Sequence, residues 1–140
     1  MLRSFKDDLK YGLEREDEVN IKLIDKFNED IKNTKELYND KYYKYDYEGI
    51  VSGTRYELKC RKNNKTKYNT TIIPCHKINE LTTAKDLYFI FNFTDGITYI
   101  KYDKILFDTF NKKLIKIFRS GKYDPPTMHL EIPINLLNDF

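Results

Sequence analysis

Tyr45-Asp46-Tyr47-Glu48-Gly49-Ile50-Val51-Ser52-Gly53-Thr54-Arg55-Tyr56-Glu57-Leu58-Lys59-Cys60-Arg61 is the stretch whose reading decides the fold. Two runs rich in aromatic and β-branched residues flank Ser52-Gly53, a turn signal. Tyr42, Tyr43, Tyr45, Tyr47, Ile50 and Val51 predict a strand over 41–51. Thr54 to Arg61 predicts the next strand, with Tyr56, Leu58 and Cys60 on one face and Glu57, Lys59 and Arg61 on the other. The two runs form an antiparallel hairpin on this reading. Asp46 precedes Glu57 by eleven positions, so the two can lie close across the ladder.

Working outward, Leu9, Leu13, Glu16, Asn20, Leu23 and Phe27 recur every three or four positions. That spacing predicts an amphipathic helix over 5–32, with Val19 and Ile24 beside the apolar stripe. Gly12 interrupts it at about 1 kcal/mol and could divide it. Downstream, 62–69 reads as a polar loop and Ile72-Ile73-Pro74 as a short extended segment. Ile78 to Lys85 reads as a helix. The nearly all-apolar run 87–93 predicts a strand covered on both faces. Asp95-Gly96 turns into a strand over 97–102. A helical stretch is expected over 103–111. Late strands are expected at 114–118 and 128–132, divided by Asp124-Pro125-Pro126, with one helical turn over 134–139. Helices and strands alternate, so the expected class is α/β: a central mixed β-sheet flanked by helices, in a single domain over 1–140.

Composition narrows the function classes. Charged residues make up 34% and hydrophobic ones 40%, which suits a globular domain. No apolar run reaches the roughly 18 residues of a membrane span. The charged N-terminus lacks the apolar region of a signal peptide. A soluble, intracellular protein without membrane contact is expected. Cys60 and Cys75 form no CxxC pair, and only His76 and His129 could join them. That is a poor set for zinc, and two reduced, half-buried thiols are expected instead. The histidines read as surface or turn residues. Tyr42, Tyr43, Tyr45 and Tyr47 read as sheet packing.

Charge is unevenly placed. Residues 1–40 carry 8 basic and 11 acidic side chains, 41–77 carry 9 and 3, and 78–140 carry 8 of each. The net +3 therefore originates in the middle segment. A concentrated basic stretch is the footprint of phosphate contact. It is equally what a solvated turn over 61–67 would show.

Asp/Glu-x-Lys occurs three times, at Asp8-Leu9-Lys10, Asp30-Ile31-Lys32 and Glu57-Leu58-Lys59. Only the third lies on a predicted strand with apolar neighbours, where an unpaired charge would be costly if covered. Asp46 and Glu57 would offer hard oxygen ligands to Mg²⁺. The metal would polarise a phosphodiester oxygen and lower the pKa of water. Lys59 would orient that water or stabilise the transition state. The same residues could equally form solvent-facing strand salt bridges.

Asp46, then Glu57-x-Lys59, after an N-terminal helix carrying a glutamate, resembles the PD-(D/E)XK nuclease superfamily. The resemblance implies a restriction-endonuclease-like core of helix, three strands, helix, strand over residues 10–102, about two thirds of the chain. Tyr45 stands where the eponymous proline would be. Gly12-Leu13-Glu14-Arg15-Glu16-Asp17-Glu18-Val19 looks like the family's opening helix, whose glutamate faces the metals. Glu16 is the candidate, because it lies three after Leu13, three before Val19 and seven before Leu23, within the apolar stripe. Glu14 and Glu18 read as solvent-facing. The alternative is that Glu16 sits at the edge of that stripe in a salt bridge. Tyr56 to Arg61, Tyr68 to Ile73 and Lys77-Ile78 look like a branch from large DNA viruses or related mobile elements. Abundant Lys, Asn, Ile and Tyr, all with AT-rich codons, fits an AT-rich genome.

The expected function is a Mg²⁺-dependent deoxyribonuclease, with Mn²⁺ able to substitute. Asp46, Glu57 and Glu16 would hold the metal and Lys59 would complete the catalytic set. Arg61, Tyr68, Thr70, Thr71 and Lys77 would contact DNA. The chain leaves little room for a separate specificity domain, so structure-selective or weakly specific cutting is expected, as by resolvases or recombination nucleases. A homodimer would suit a two-strand cut. A viral chain would act in the host cytoplasm or virus factory. The alternative is a nucleic-acid-binding or assembly subunit with a nuclease-like fold and no cleavage activity; RNA cleavage is a weaker reading.

Overall fold

The computed structural model describes residues 3–81, 85–116, 119–120 and 125–140, with backbone alone for 3–14, 80–81 and 119–120. In chain order the elements are β1 (Arg3–Ser4), α1 (Phe5–Phe27), β2 (Ile31–Asn33), α2 (Thr34–Leu37), β3 (Tyr47–Gly49), β4 (Arg55–Cys60), β5 (Thr70–Pro74), α3 (Cys75–Leu81), β6 (Leu87–Phe93), β7 (Gly96–Lys101), α4 (Lys104–Phe107), β8 (Lys112–Ile115), β9 (Arg119–Ser120), β10 (Thr127–Pro133) and β11 (Asn138–Asp139). Short 3₁₀ turns cover Lys65–Lys67 and Ile134–Leu136. The class is α/β, with a mixed six-stranded sheet in the order β11-β7-β6-β4-β3-β2. Its central pair, β4 and β6, is parallel, and its neighbours run antiparallel. A parallel pair requires a crossover of a dozen residues or more; here it contains β5 and α3. β5 leaves the main sheet and pairs with β10, which pairs in turn with β8.

Both faces of the six-stranded sheet are covered. On one, Val19 and Leu23 of α1 pack with Ile31, Tyr47, Tyr56 and Ile90. On the other, Phe89, Phe91 and Phe93 pack with Ile73, Leu130 and Ile132 from the three-stranded sheet. β6 therefore alternates between two cores, as its apolar run predicts. Each fully buried side chain of this size stabilises the fold by about 1.5–3 kcal/mol.

Several expectations need correction. The first helix ends at Phe27, because Asn28 takes a left-handed conformation with φ 52° and its N–H closes on the Ile24 carbonyl at 2.9 Å. Asn tolerates that conformation better than most residues. The helix runs unbroken through Gly12. The freed segment forms β2 and α2. Only Tyr47–Gly49 of the expected strand over 41–51 is strand. Ahead of it, Asp40 caps a turn by accepting from Tyr42 N–H (2.9 Å), and Tyr38 stacks on Tyr43 with ring centroids 4.3 Å apart. α3 starts at Cys75, ahead of the expected Ile78. α4 is a single turn capped by Asp103. The last segment combines a 3₁₀ turn with β11. Residues 117–118 of the expected late strand, Asp124 of the proline turn and residues 82–84 of the expected helix lie outside the described residues. No helix among the described residues is long and apolar enough to cross a membrane.

Candidate active site

β3 stops one residue short of the site, and that shapes the site. The ladder pairs Tyr47 with Tyr56 and Glu48 with Arg55. Asp46 N–H still donates to Tyr56 C=O at 3.1 Å, which sets Asp46 opposite Glu57. Beyond Tyr56, β4 loses its neighbour on the β3 side, and the Leu58 N–H would be left unpaired. The Asp46 Oδ2 accepts it at 2.7 Å. Thr34 fixes the approach by donating its N–H to Asp46 C=O at 2.9 Å and its hydroxyl to Tyr45 C=O. Asp46 is thus held by main chain and side chain together.

The carboxyl groups of Asp46 and Glu57 lie close enough to affect each other's charge. Burial, then the Glu57 charge, pushes the Asp46 carboxyl up to about 8, against the opposing Leu58 hydrogen bond and the Lys59 charge. Glu57 is buried. Its Oε2 has Lys59 Nζ at 3.4 Å and Lys77 Nζ at 3.5 Å. Lys77 also donates to Lys44 C=O at 3.1 Å. These contacts are longer than the 2.7–2.9 Å of a tight charge-assisted bond, so the ammonium groups are neighbours and not locked partners. Two crowded carboxylates retain a proton because the alternative is two buried negative charges. A divalent cation relieves the same repulsion, and hard oxygen donors suit Mg²⁺. The donor set at Asp46 and Glu57 therefore fits such an ion.

Glu16 sits at the edge of the apolar stripe in a salt bridge with Lys35, the alternative its spacing allowed. It is half-buried toward the sheet, whereas Glu18 is exposed; the Glu14 side chain lies outside the described residues. Its carboxylate accepts from Lys35 Nζ at 2.5 Å and from Asn33 Nδ2 at 3.3 Å. Its backbone carbonyl accepts from the Tyr47 hydroxyl at 2.5 Å. Glu57 pairs in register with Phe89 and so shares the sheet face of that core, whereas α1 covers the opposite face. Glu16 therefore approaches the sheet from the other side. Burial pushes the Cys60 thiol up to about 11, against the Arg15 charge and with smaller contributions from Asp46 and Glu16. Among the described residues no group of three His, Cys, Asp or Glu side chains is arranged to hold a metal.

The expected DNA-contacting residues divide into two places. Arg61, Tyr68, Thr70 and Thr71 line one open groove of about 760 Å³. Lys77 stands at the carboxylates. Arg61 also joins β4 to β5, donating to Ile72 C=O at 2.5 Å and Thr71 Oγ1 at 3.3 Å, with its guanidinium 5.7 Å from the Phe91 ring centre. Thr70 Oγ1 donates to Glu131 at 3.4 Å. Tyr68 is 59% exposed. Lys113 and Glu131 line the same groove and were invisible to the sequence reading. They arrive through the pairing of β10 with β5 and β8, which no local motif announces.

His76 is exposed, as expected. His129 is not a surface residue: it is buried on β10, with Nδ1 2.8 Å from Thr127 C=O. Cys60 and Cys75 are free and half-buried. Tyr45 and Tyr47 pack inside, while Tyr42 is 82% exposed and packs nothing into the sheet. Comparison of the chain with family models, with curated proteins and with solved structures returns no match in any of the three.

Proposed function

We propose that the chain is a metal-dependent deoxyribonuclease that hydrolyses DNA phosphodiesters, structure-selective or weakly specific, of the PD-(D/E)XK type. The observation that carries this reading is the Asp46–Glu57 carboxyl pair, flanked by Lys59 and Lys77 and leading into a basic groove. The order helix, three antiparallel strands, helix, parallel strand supports it: α1, β2, β3, β4, α3 and β6 follow one another in that way, with β5 and α2 as additions.

Asp46 and Glu57 would hold Mg²⁺, or Mn²⁺ in its place. Such an ion, when bound, supplies Lewis-acid polarisation of the phosphodiester and a more acidic water. Lys59, beside Glu57, would orient the attacking water and stabilise the negative charge that develops on the phosphoryl oxygens. Lys77 holds a second positive charge at the same place, suited to a substrate phosphate. Glu16, on the opposite face of the sheet and held by Lys35 and Asn33, stands apart from the carboxyl pair. Water attacks in line with the leaving 3′ oxygen.

The test is incubation with plasmid, linear and branched DNA, with and without Mg²⁺ or Mn²⁺. Cation-dependent cutting is expected. Binding without cutting under every condition would overturn hydrolysis. It would leave the second reading, a nucleic-acid-binding subunit with a nuclease-like fold. One observation favours that alternative: Glu57 and Glu16 each already have a lysine against them.

A further inference from the structure

The groove beyond Arg61 has features that hydrolysis does not require. Lys62, Lys65 and Lys67 line it from the loop after β4, and Lys113 from β8. Tyr68 lines it too and also borders a second hollow of about 540 Å³. Lys65, Tyr68 and Ile134 belong to both hollows, so the two adjoin and an extended ligand can pass Tyr68 from one to the other. Cavities of about 300–1,000 Å³ enclose ligands of modest size. This volume suits a short run of one strand.

The lining chemistry agrees. Lys67 Nζ lies 5.5 Å from the Tyr68 ring centre, which places a cation beside an exposed aromatic face. Aromatic rings between lysines are how proteins hold unpaired bases and their phosphates. Glu131 is the only acid among the described residues lining the groove. A carboxylate repels phosphate, so it does not face the backbone of a bound strand. Beyond its contact with Thr70, it can accept from an exocyclic amino group, and cytosine N4 is the usual partner of a carboxylate.

We infer that this groove binds an unpaired DNA strand, with phosphates on its lysines, one base on Tyr68 and a cytosine amino group at Glu131. Taking DNA as the polymer rests on the nuclease reading. Glu57 lies three positions before Cys60 at the groove's edge, about 10 Å of strand. The groove would therefore lay the single-stranded arm of a branched substrate beside the carboxylates.

Fluorescence anisotropy in EDTA tests this without cutting. The probes are labelled oligo-dC and oligo-dT of about 12 nucleotides and a hairpin duplex of matching length. Oligo-dC should bind tightest, and the duplex about tenfold or more weaker. Tyr68→Ala should lower oligo-dC affinity about tenfold, and Tyr68→Phe should preserve it. Glu131→Ala should bring oligo-dC down to oligo-dT, while Glu131→Gln, which keeps an acceptor, retains the preference. Circular dichroism melts establish that each variant is folded. Duplex binding as tight as oligo-dC, or a Tyr68→Ala protein that binds like wild type, overturns the inference. Equal affinity for the two oligonucleotides removes Glu131 from it. A protein that passes these tests and cuts nothing refutes hydrolysis alone. One that cuts duplex DNA and fails them refutes the groove alone.

Discussion

The Asp46 side chain accepts the backbone N–H of Leu58 at 2.7 Å, which ties the first carboxylate to the strand that carries Glu57 and Lys59. The bond replaces one that a longer β3 would have made. Geometry at this point is thus set by main chain, and side-chain chemistry can be altered without dismantling it.

Metal-free stability should fall as pH rises. Asp46 binds its proton up to about 8 in the folded chain, against 3.8 for the free group. Its contribution is full below the lower value, declines between the two and is lost above the upper one. Asp46→Asn keeps an acceptor for Leu58 and should flatten that slope. Denaturant titrations in EDTA from about pH 5 to about pH 9 measure it. Binding of Mg²⁺ would displace the same proton, so its affinity should climb with pH and level off near 8. A pH-independent affinity would count against Asp46 as a ligand.

Lys59→Ala should remove cutting while fold and DNA binding remain. Lys59 acts on the transition state in the proposed reaction, so kcat should drop on the order of 10²-fold or more, with Kd little changed. Lys77 stays 3.5 Å from Glu57 and keeps that buried charge partnered. Single-turnover cleavage beside a binding titration separates the two effects. Cutting at the wild-type rate would refute the assignment.

Glu16→Gln should keep cutting, because Glu16 reaches the sheet from the face opposite the carboxyl pair. Glutamine offers one acceptor oxygen to the two donors Lys35 Nζ and Asn33 Nδ2, so one contact is lost, at about 1–3 kcal/mol of stability. Comparing cleavage with thermal melts tells a lost ligand from a loosened helix. A Glu16→Gln protein that melts like wild type yet cuts nothing would make Glu16 part of the metal set.

Lys77→Ala and Arg61→Ala should differ. Lys77 stands among the site charges, and its loss should weaken DNA binding uniformly and flatten the salt dependence by about one unit of slope. Arg61 also holds Ile72 and Thr71. Its removal should cost about 1.5–3 kcal/mol of stability as well, the worth of a hydrogen bond from a charged donor. Salt titrations and chemical denaturation of both variants check this. An unchanged slope for both would argue against a DNA groove here.

The parts of the site that sequence made legible are the local ones. Asp46 and Glu57 meet because one hairpin with Gly53 at φ 72° brings them together. Glu16 points inward because helical spacing is reliable over three turns. Residues 28–32 and 41–46 depart from the expected helix and strand for an equally local reason. Asn28 breaks a helix whose apolar rhythm continues past it, and Asp40 turns a tyrosine run that propensity alone would extend. Lys113 and Glu131 were illegible because nothing near them in sequence indicates that β10 will lie between β5 and β8.

That pairing has a kinetic consequence. Thr70 and Glu131 meet across 61 positions, whereas β6 and β7 close over a turn of two residues. Closing a longer loop costs more chain entropy before any contact repays it, and non-local pairings form slowly. The carboxylate hairpin can therefore assemble early, and the β10 wall closes late. Pulse-labelled hydrogen exchange during refolding should protect β6 and β7 amides before those of β10. A nascent chain would thus possess its acidic pair before it possesses the channel beside it.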